Sequence, residues 1–64
     1  TILENPLGFL NVRENPSADS QIVGTVYPSE IHPLISEQYE WYEIALEEGV
    51  TGWIASQYAV VSSN

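Results

Sequence analysis

One stretch constrains the fold more than any other: Glu40-Trp41-Tyr42-Glu43-Ile44-Ala45-Leu46-Glu47-Glu48-Gly49-Val50-Thr51-Gly52-Trp53-Ile54-Ala55-Ser56-Gln57-Tyr58. Runs of aromatic and branched residues flank Glu47-Glu48-Gly49, the pattern of two short strands joined by a tight turn. Side-chain parity then selects the register. A two-residue turn at Glu48-Gly49 places Trp53 opposite Ile44 and sends Ile54 to the other face. A three-residue loop, Glu47 to Gly49 with Gly49 left-handed, places Gly52 opposite Ile44 and Ile54 opposite Tyr42. Only the second register gathers Tyr42, Ile44, Leu46 and Ile54 on one face, so it is the expected one. Trp41 and Trp53 then share the face that points away from the core and are expected to be at least partly exposed. Two tryptophans outside so small a core need a reason.

The core is small because the chain has 64 residues and no cysteine. It is expected to be a single domain over residues 1–64, near the lower size limit for a self-sufficient core and with no disulfide to staple it. Packing of Val, Ile, Leu and aromatic side chains must hold it, each fully buried one contributing about 1.5–3 kcal/mol before entropy is subtracted. The chain begins mid-pattern at Thr1-Ile2-Leu3 and ends in Ser62-Ser63-Asn64, as a module cut from a longer protein would. No apolar run reaches bilayer length and no signal-peptide pattern opens it.

Nine acids stand against one arginine and no lysine, for a net charge of −8. Such a surface has almost no cations with which to release counterions from a phosphate backbone, so no nucleic-acid partner is expected. Anionic membranes and anionic wall polymers are disfavoured for the same reason. The acids read first as the solvating shell of a small β-domain.

Along the chain, Thr1-Ile2-Leu3 is a short apolar start and Glu4-Asn5-Pro6-Leu7-Gly8 a turn. Phe9 to Arg13 alternates, with Leu10 and Val12 inward and Asn11 and Arg13 outward. Glu14 to Ser20 is a loop by composition. Gln21 to Tyr27 is a strand whose Gly24 marks a bulge or a close backbone approach. After a turn at Pro28-Ser29, Glu30 to Ile35 is expected to be another strand, limited by Pro33 to an edge or a bulge, with Ser36 to Glu40 a polar loop. Ala55 to Tyr58 fits a single 3₁₀ turn, and Ala59-Val60-Val61 a last strand. The sum is an all-β fold: a small antiparallel barrel of five to seven short strands with one 3₁₀ turn. Its expected core is Leu10, Val12, Val26, Leu34, Ile44 and Ile54.

Leu10-Asn11-Val12-Arg13, Asn15-Pro16-Ser17, Val23-Gly24-Thr25-Val26, Trp41-Tyr42-Glu43-Ile44, Thr51-Gly52-Trp53-Ile54 and Gln57-Tyr58 follow one another in this order. That ordered set resembles the bacterial Src-homology-3 (SH3-like, SH3b) domain from Leu10 to Tyr58. The resemblance implies a five-to-seven-stranded SH3-like barrel that is usually a non-catalytic module of cell-wall hydrolases and envelope proteins. It further implies attachment to peptidoglycan or its peptides, and an extracytoplasmic, envelope or secreted location. More distantly, the hairpin resembles the eukaryotic Src-homology-3 domain, whose peptide groove would fall on Trp41, Trp53 and Tyr58. The chain departs from the two patterns at Ala55, where the eukaryotic domain has proline, at Ser29, where a turn glycine is common, and in lacking the usual lysines.

Chemistry can be weighed residue by residue. His32 is the one histidine and Asp19 the one aspartate, yet nothing resembles a nucleophile elbow or an oxyanion loop, so no enzyme is expected. Glu47-Glu48 lacks the spacing of a calcium loop and reads as solvated, and neither a metal nor a cofactor is expected. The candidate ligand-binding residues are Trp41, Trp53 and Tyr58, with Tyr39 extending the cluster and Glu43 offering a hydrogen-bonding edge. Aromatics that bracket a few polar groups suit extended peptides and sugar rings alike.

Two functions of different class follow. In one, the domain is a targeting module holding a peptidoglycan peptide or glycan in the aromatic groove. In the other, it is a spacer or interaction domain that docks on a partner protein or on another domain of its own chain. As an isolated domain it is expected to be a monomer.

Overall fold

A computed structural model describes residues 1–61, apart from the side chain of Glu48. Five strands, β1 (Leu10–Arg13), β2 (Ile22–Val26), β3 (Leu34–Gln38), β4 (Trp41–Ala45) and β5 (Thr51–Ala55), form one antiparallel sheet in the order β2-β1-β5-β4-β3. Among the described residues there are two 3₁₀ turns rather than one. Ser56–Tyr58 is the expected turn, and Glu47–Gly49 forms a second within the hairpin loop.

The hairpin has the register that parity selects. Tyr42 pairs with Ile54, and Ile44 with Gly52. The loop is Glu47 to Gly49, with Gly49 at φ 78° in the left-handed region that glycine enters without steric cost. Its base is closed by the Leu46 N–H, which donates to the Val50 carbonyl at 2.6 Å.

Ile2, Leu10, Val12, Val26, Ile44 and Ile54 form the buried cluster, with Tyr42, Leu46, Tyr58 and Ala59 packed against it. Val26 of β2 and Ile44 of β4 belong to strands that are not neighbours, so the sheet must curl on itself for both to reach one core. That curl makes it a small barrel. The bend in β1–β2 is a bulge: Val12 pairs with Gly24 but Arg13 with Ile22, leaving Val23 without a counterpart. Gly24 also lies close under Leu46, which would be 3.3 Å from a Cβ there.

Three further expectations change. Leu34 is 42% exposed and lies outside the core. It stands on the free edge of the sheet, next to a register irregularity between Leu34 and Ser36. Second, β3 runs from Leu34 to Gln38, so Ser36 to Gln38 of the segment read as a polar loop are strand, Tyr39 and Glu40 form the turn, and Glu30 to Pro33 are not strand. All five β3 positions are exposed, which is why no alternation of apolar and polar residues marks it. Third, Ala59-Val60-Val61 forms no strand. It contributes an isolated bridge between Ile2 and Ala59.

That bridge brings Ile2 into the core at 4% exposure, a position too close to the start of the chain for periodicity to reveal. Hydrogen bonds tie the segment on both sides: Ile2 N–H to Glu30 O, Ser29 N–H to Ile2 O and Leu3 N–H to Tyr58 O. Ser29, where a glycine is common, takes φ 75°, a left-handed conformation that a serine holds only under tertiary constraint. Among the described residues no helix is long and apolar enough to cross a membrane.

Candidate functional site

Trp41, Glu43 and Ala45 leave β4 on the face opposite Ile44, and Thr51, Trp53 and Ala55 leave β5 on that same face. The two tryptophans meet different fates there. Trp41 stands at the start of β4 and is half-buried. Trp53 is only 9% exposed, although it does not belong to the core cluster. The expectation of an exposed Trp53 fails because β5 is the central strand. Glu43 of β4 stands on one side of Trp53 and Arg13 of β1 on the other, each its direct cross-strand partner. Directly opposed side chains in a ladder lie close enough to cover one another.

The groove forms beside Trp53, not over it. A hollow of about 290 Å³, at the small end of the range for ligand pockets, is lined by Trp41, Tyr58, Ala55, Phe9, Pro6 and Leu7 among others. Tyr58 reaches it because the Ser56–Tyr58 3₁₀ turn follows β5 directly, with the Ser56 N–H donating to Glu40 O at 2.9 Å. Pro6, Leu7 and Phe9 reach it through the turn before β1. There the Asn5 side-chain oxygen accepts the Leu7 N–H at 3.1 Å, its carbonyl accepts the Gly8 N–H at 3.0 Å, and Gly8 sits at φ 81°.

Of the five residues expected at the site, Trp41 and Tyr58 therefore share a groove and the other three do not line it. Tyr39 is 87% exposed in the β3–β4 turn, beside Glu40 at φ 66°. Glu43 is engaged within the sheet, its carboxylate accepting the Ser36 hydroxyl at 2.9 Å. The residues that sequence reasoning missed are Pro6, Leu7, Phe9 and Arg13. The first two sit in a stretch whose composition says only that the chain turns, and Arg13 reads as an ordinary outward strand residue.

Elsewhere, the His32 ring meets the Glu30 carboxylate at 3.1 Å. That carboxylate also accepts the Tyr27 N–H at 2.9 Å, which with the His32 ring holds it below the ordinary glutamate range. The Tyr27–Glu30 hydrogen bond ties the two sides of the Pro28-Ser29 turn. Glu47 is exposed, and the side chain of Glu48 lies outside the described residues. No group of three or more His, Cys, Asp or Glu side chains converges as metal ligands would, among the described residues.

A family model for the bacterial SH3 domain matches residues 8–59. The matched span runs from the left-handed Gly8 to the Ala59 bridge, and so takes in all five strands and both 3₁₀ turns. No curated protein and no solved structure matches the chain.

Proposed function

The chain belongs to the bacterial SH3 domain family, and from that premise we propose that it attaches its parent protein to cell-envelope material. The family is one of binding domains rather than catalysts. The ligand in this reading is a peptidoglycan peptide or glycan laid in the groove between Trp41 and Tyr58. The location that goes with it is extracytoplasmic. One observation carries the proposal: an indole and a phenol ring, flanked by Pro6, Leu7 and Phe9, open on one solvent-accessible hollow. Rigid aromatic faces of this kind hold extended peptides and sugar rings at little cost in side-chain entropy. Trp41 and Tyr58 are the direct contacts in this reading. Trp53 stands beside the groove, between Arg13 and Glu43, and Tyr39 and Glu43 extend the surface along the β3–β4 side.

A second reading is favoured by a different observation. Ile31, Leu34 and Ile35 are exposed on and beside the free β3 edge, an apolar strip suited to docking on a partner protein or a neighbouring domain.

Amide chemical shifts followed during titration with purified peptidoglycan fragments separate the two. Shifts concentrated at Trp41, Tyr58, Leu7 and Phe9, weakened by about tenfold or more in Trp41→Ala, are expected for envelope attachment. A folded chain that responds to no wall fragment at millimolar concentration would leave docking as the better account.

A further inference from the structure

The groove is electrostatically unlike the rest of the molecule. Nine acids are spread through the sequence, yet among the described residues none lines the hollow that holds Trp41 and Tyr58, whereas the chain's one arginine does. Arg13 is half-buried at the end of β1 and gives its Nη1 to the Ser20 carbonyl at 2.8 Å. A guanidinium carries more N–H donors than that one bond uses, in a fork that matches a carboxylate. Despite the excess of acid, Arg13 forms no ion pair among the described residues. Glu43, on the same face, is kept from it by the width of β5, with Trp53 between them.

We propose that Arg13 is a carboxylate-binding residue, and that the groove takes an extended peptide by its free C-terminal carboxylate. The inference rests on the groove being the ligand site, as proposed above. A carboxylate at Arg13 would find a cation whose geometry is already fixed by Ser20 and whose charge no internal acid has neutralised. The apolar walls, Pro6, Leu7, Phe9 and Trp41, exclude water from one side of that contact and strengthen it. They also favour a peptide over a bare inorganic anion, which would leave those walls uncovered. The polarity of the bound chain follows from the adjoining hollow, which shares Trp41 and Ala55 with the groove and contains Glu40. An anionic end laid there is repelled, so the carboxylate lies toward Arg13 and the rest of the peptide toward Trp41.

The test varies the ligand before the protein. Trialanine with a free carboxyl terminus and its C-terminal carboxamide are titrated into the 64-residue chain, followed by amide chemical shifts. The free acid is expected to bind about tenfold more tightly than the carboxamide, with shifts at Trp41 and Tyr58 for both. In Arg13→Gln the acid should fall to the affinity of the carboxamide, which itself should hardly change. Because Arg13 also secures Ser20, the comparison of the two ligands on the unaltered chain stands independently of how that variant folds. Equal affinities for acid and carboxamide, both at the groove, would overturn the carboxylate inference and leave the groove reading intact. Shifts confined to residues outside the groove, or none at all for either peptide, would overturn both.

Discussion

Ile44 of β4 faces Gly52 of β5 directly across the ladder, and the empty side-chain position at Gly52 is occupied by Val12 of β1. A Cβ on Gly52 would collide with Val12 Cγ1 and come within 3.1 Å of both the Arg13 carbonyl and Val23 Cγ2. The pairing therefore joins two facts about the barrel. Ile44 fills the core from one strand, and the absence of a side chain opposite it lets a third strand cross close above.

Gly52→Ala should accordingly destabilise the chain by about 2 kcal/mol. Two of the three obstructions belong to backbone or to a fully buried valine, which cannot swing aside. Urea unfolding measures the loss, and a midpoint equal to the parent's would refute the close approach of β1 to β5.

Ile44→Ala leaves a cavity in a cluster with few members to collapse into it. The expected cost is about 2–5 kcal/mol, a large share of what a domain of this size has available. The same unfolding curve is the check; a nearly unchanged midpoint is incompatible with the core described above.

The two tryptophans should respond in opposite ways. Trp53→Ala removes a buried side chain from the middle strand and should cost about 3 kcal/mol of stability. Trp41→Ala, at the half-open start of β4, should cost about 1 kcal/mol or less and, on the groove reading proposed above, should remove most of the affinity for peptidoglycan fragments. Parallel melting curves decide it: equal losses for the two variants would place both rings in the same environment.

Glu30 supplies a pH dependence whose sign can be worked out. The Tyr27 N–H, and after it the His32 ring, favour the ionised carboxylate in the folded chain and lower its pKa. A lowered folded value means the stabilisation is present above the ordinary glutamate value, about 4.3, and is lost as pH falls through the folded one. The unaltered chain should therefore be more stable than Glu30→Gln at neutral pH, with the gap closing in acid below about pH 4. Thermal midpoints of the two proteins across that range provide the measurement; a constant gap would show that the Glu30 charge contributes nothing.

Much of the barrel was legible because parity and turn chemistry are local. Tyr42, Ile44 and Ile54 report their register within the hairpin itself, and Gly49 reports the left-handed loop. Ile2 and β3 were illegible for opposite reasons. Ile2 is buried by a bridge to Ala59 from the far end of the chain, and β3 is a strand with no buried face to imprint a pattern. At the site, parity placed Trp41 and Trp53 on the correct side of the sheet, but burial also depends on which strands flank a residue. That strand order, β1 beside β5, is a long-range fact. The same fact hid Arg13, whose neighbours in the fold are Trp53 and the groove rather than anything near it in sequence.

The Arg13–Trp53 pair is also the seam that joins the two halves of the sheet. Every other ladder joins strands consecutive in the chain, whereas β1 and β5 are brought together across β2, β3 and β4 and share this one registered pair. In kinetic terms the hairpins require only short loops to close, while the seam requires ordering a loop that spans most of the molecule. The folding barrier is thus expected at closure of the seam. Gly52→Ala, which obstructs it, should then slow refolding, whereas truncations confined to β3 should mainly hasten unfolding. A chevron for Gly52→Ala that moves only in its unfolding arm would put closure after the barrier instead.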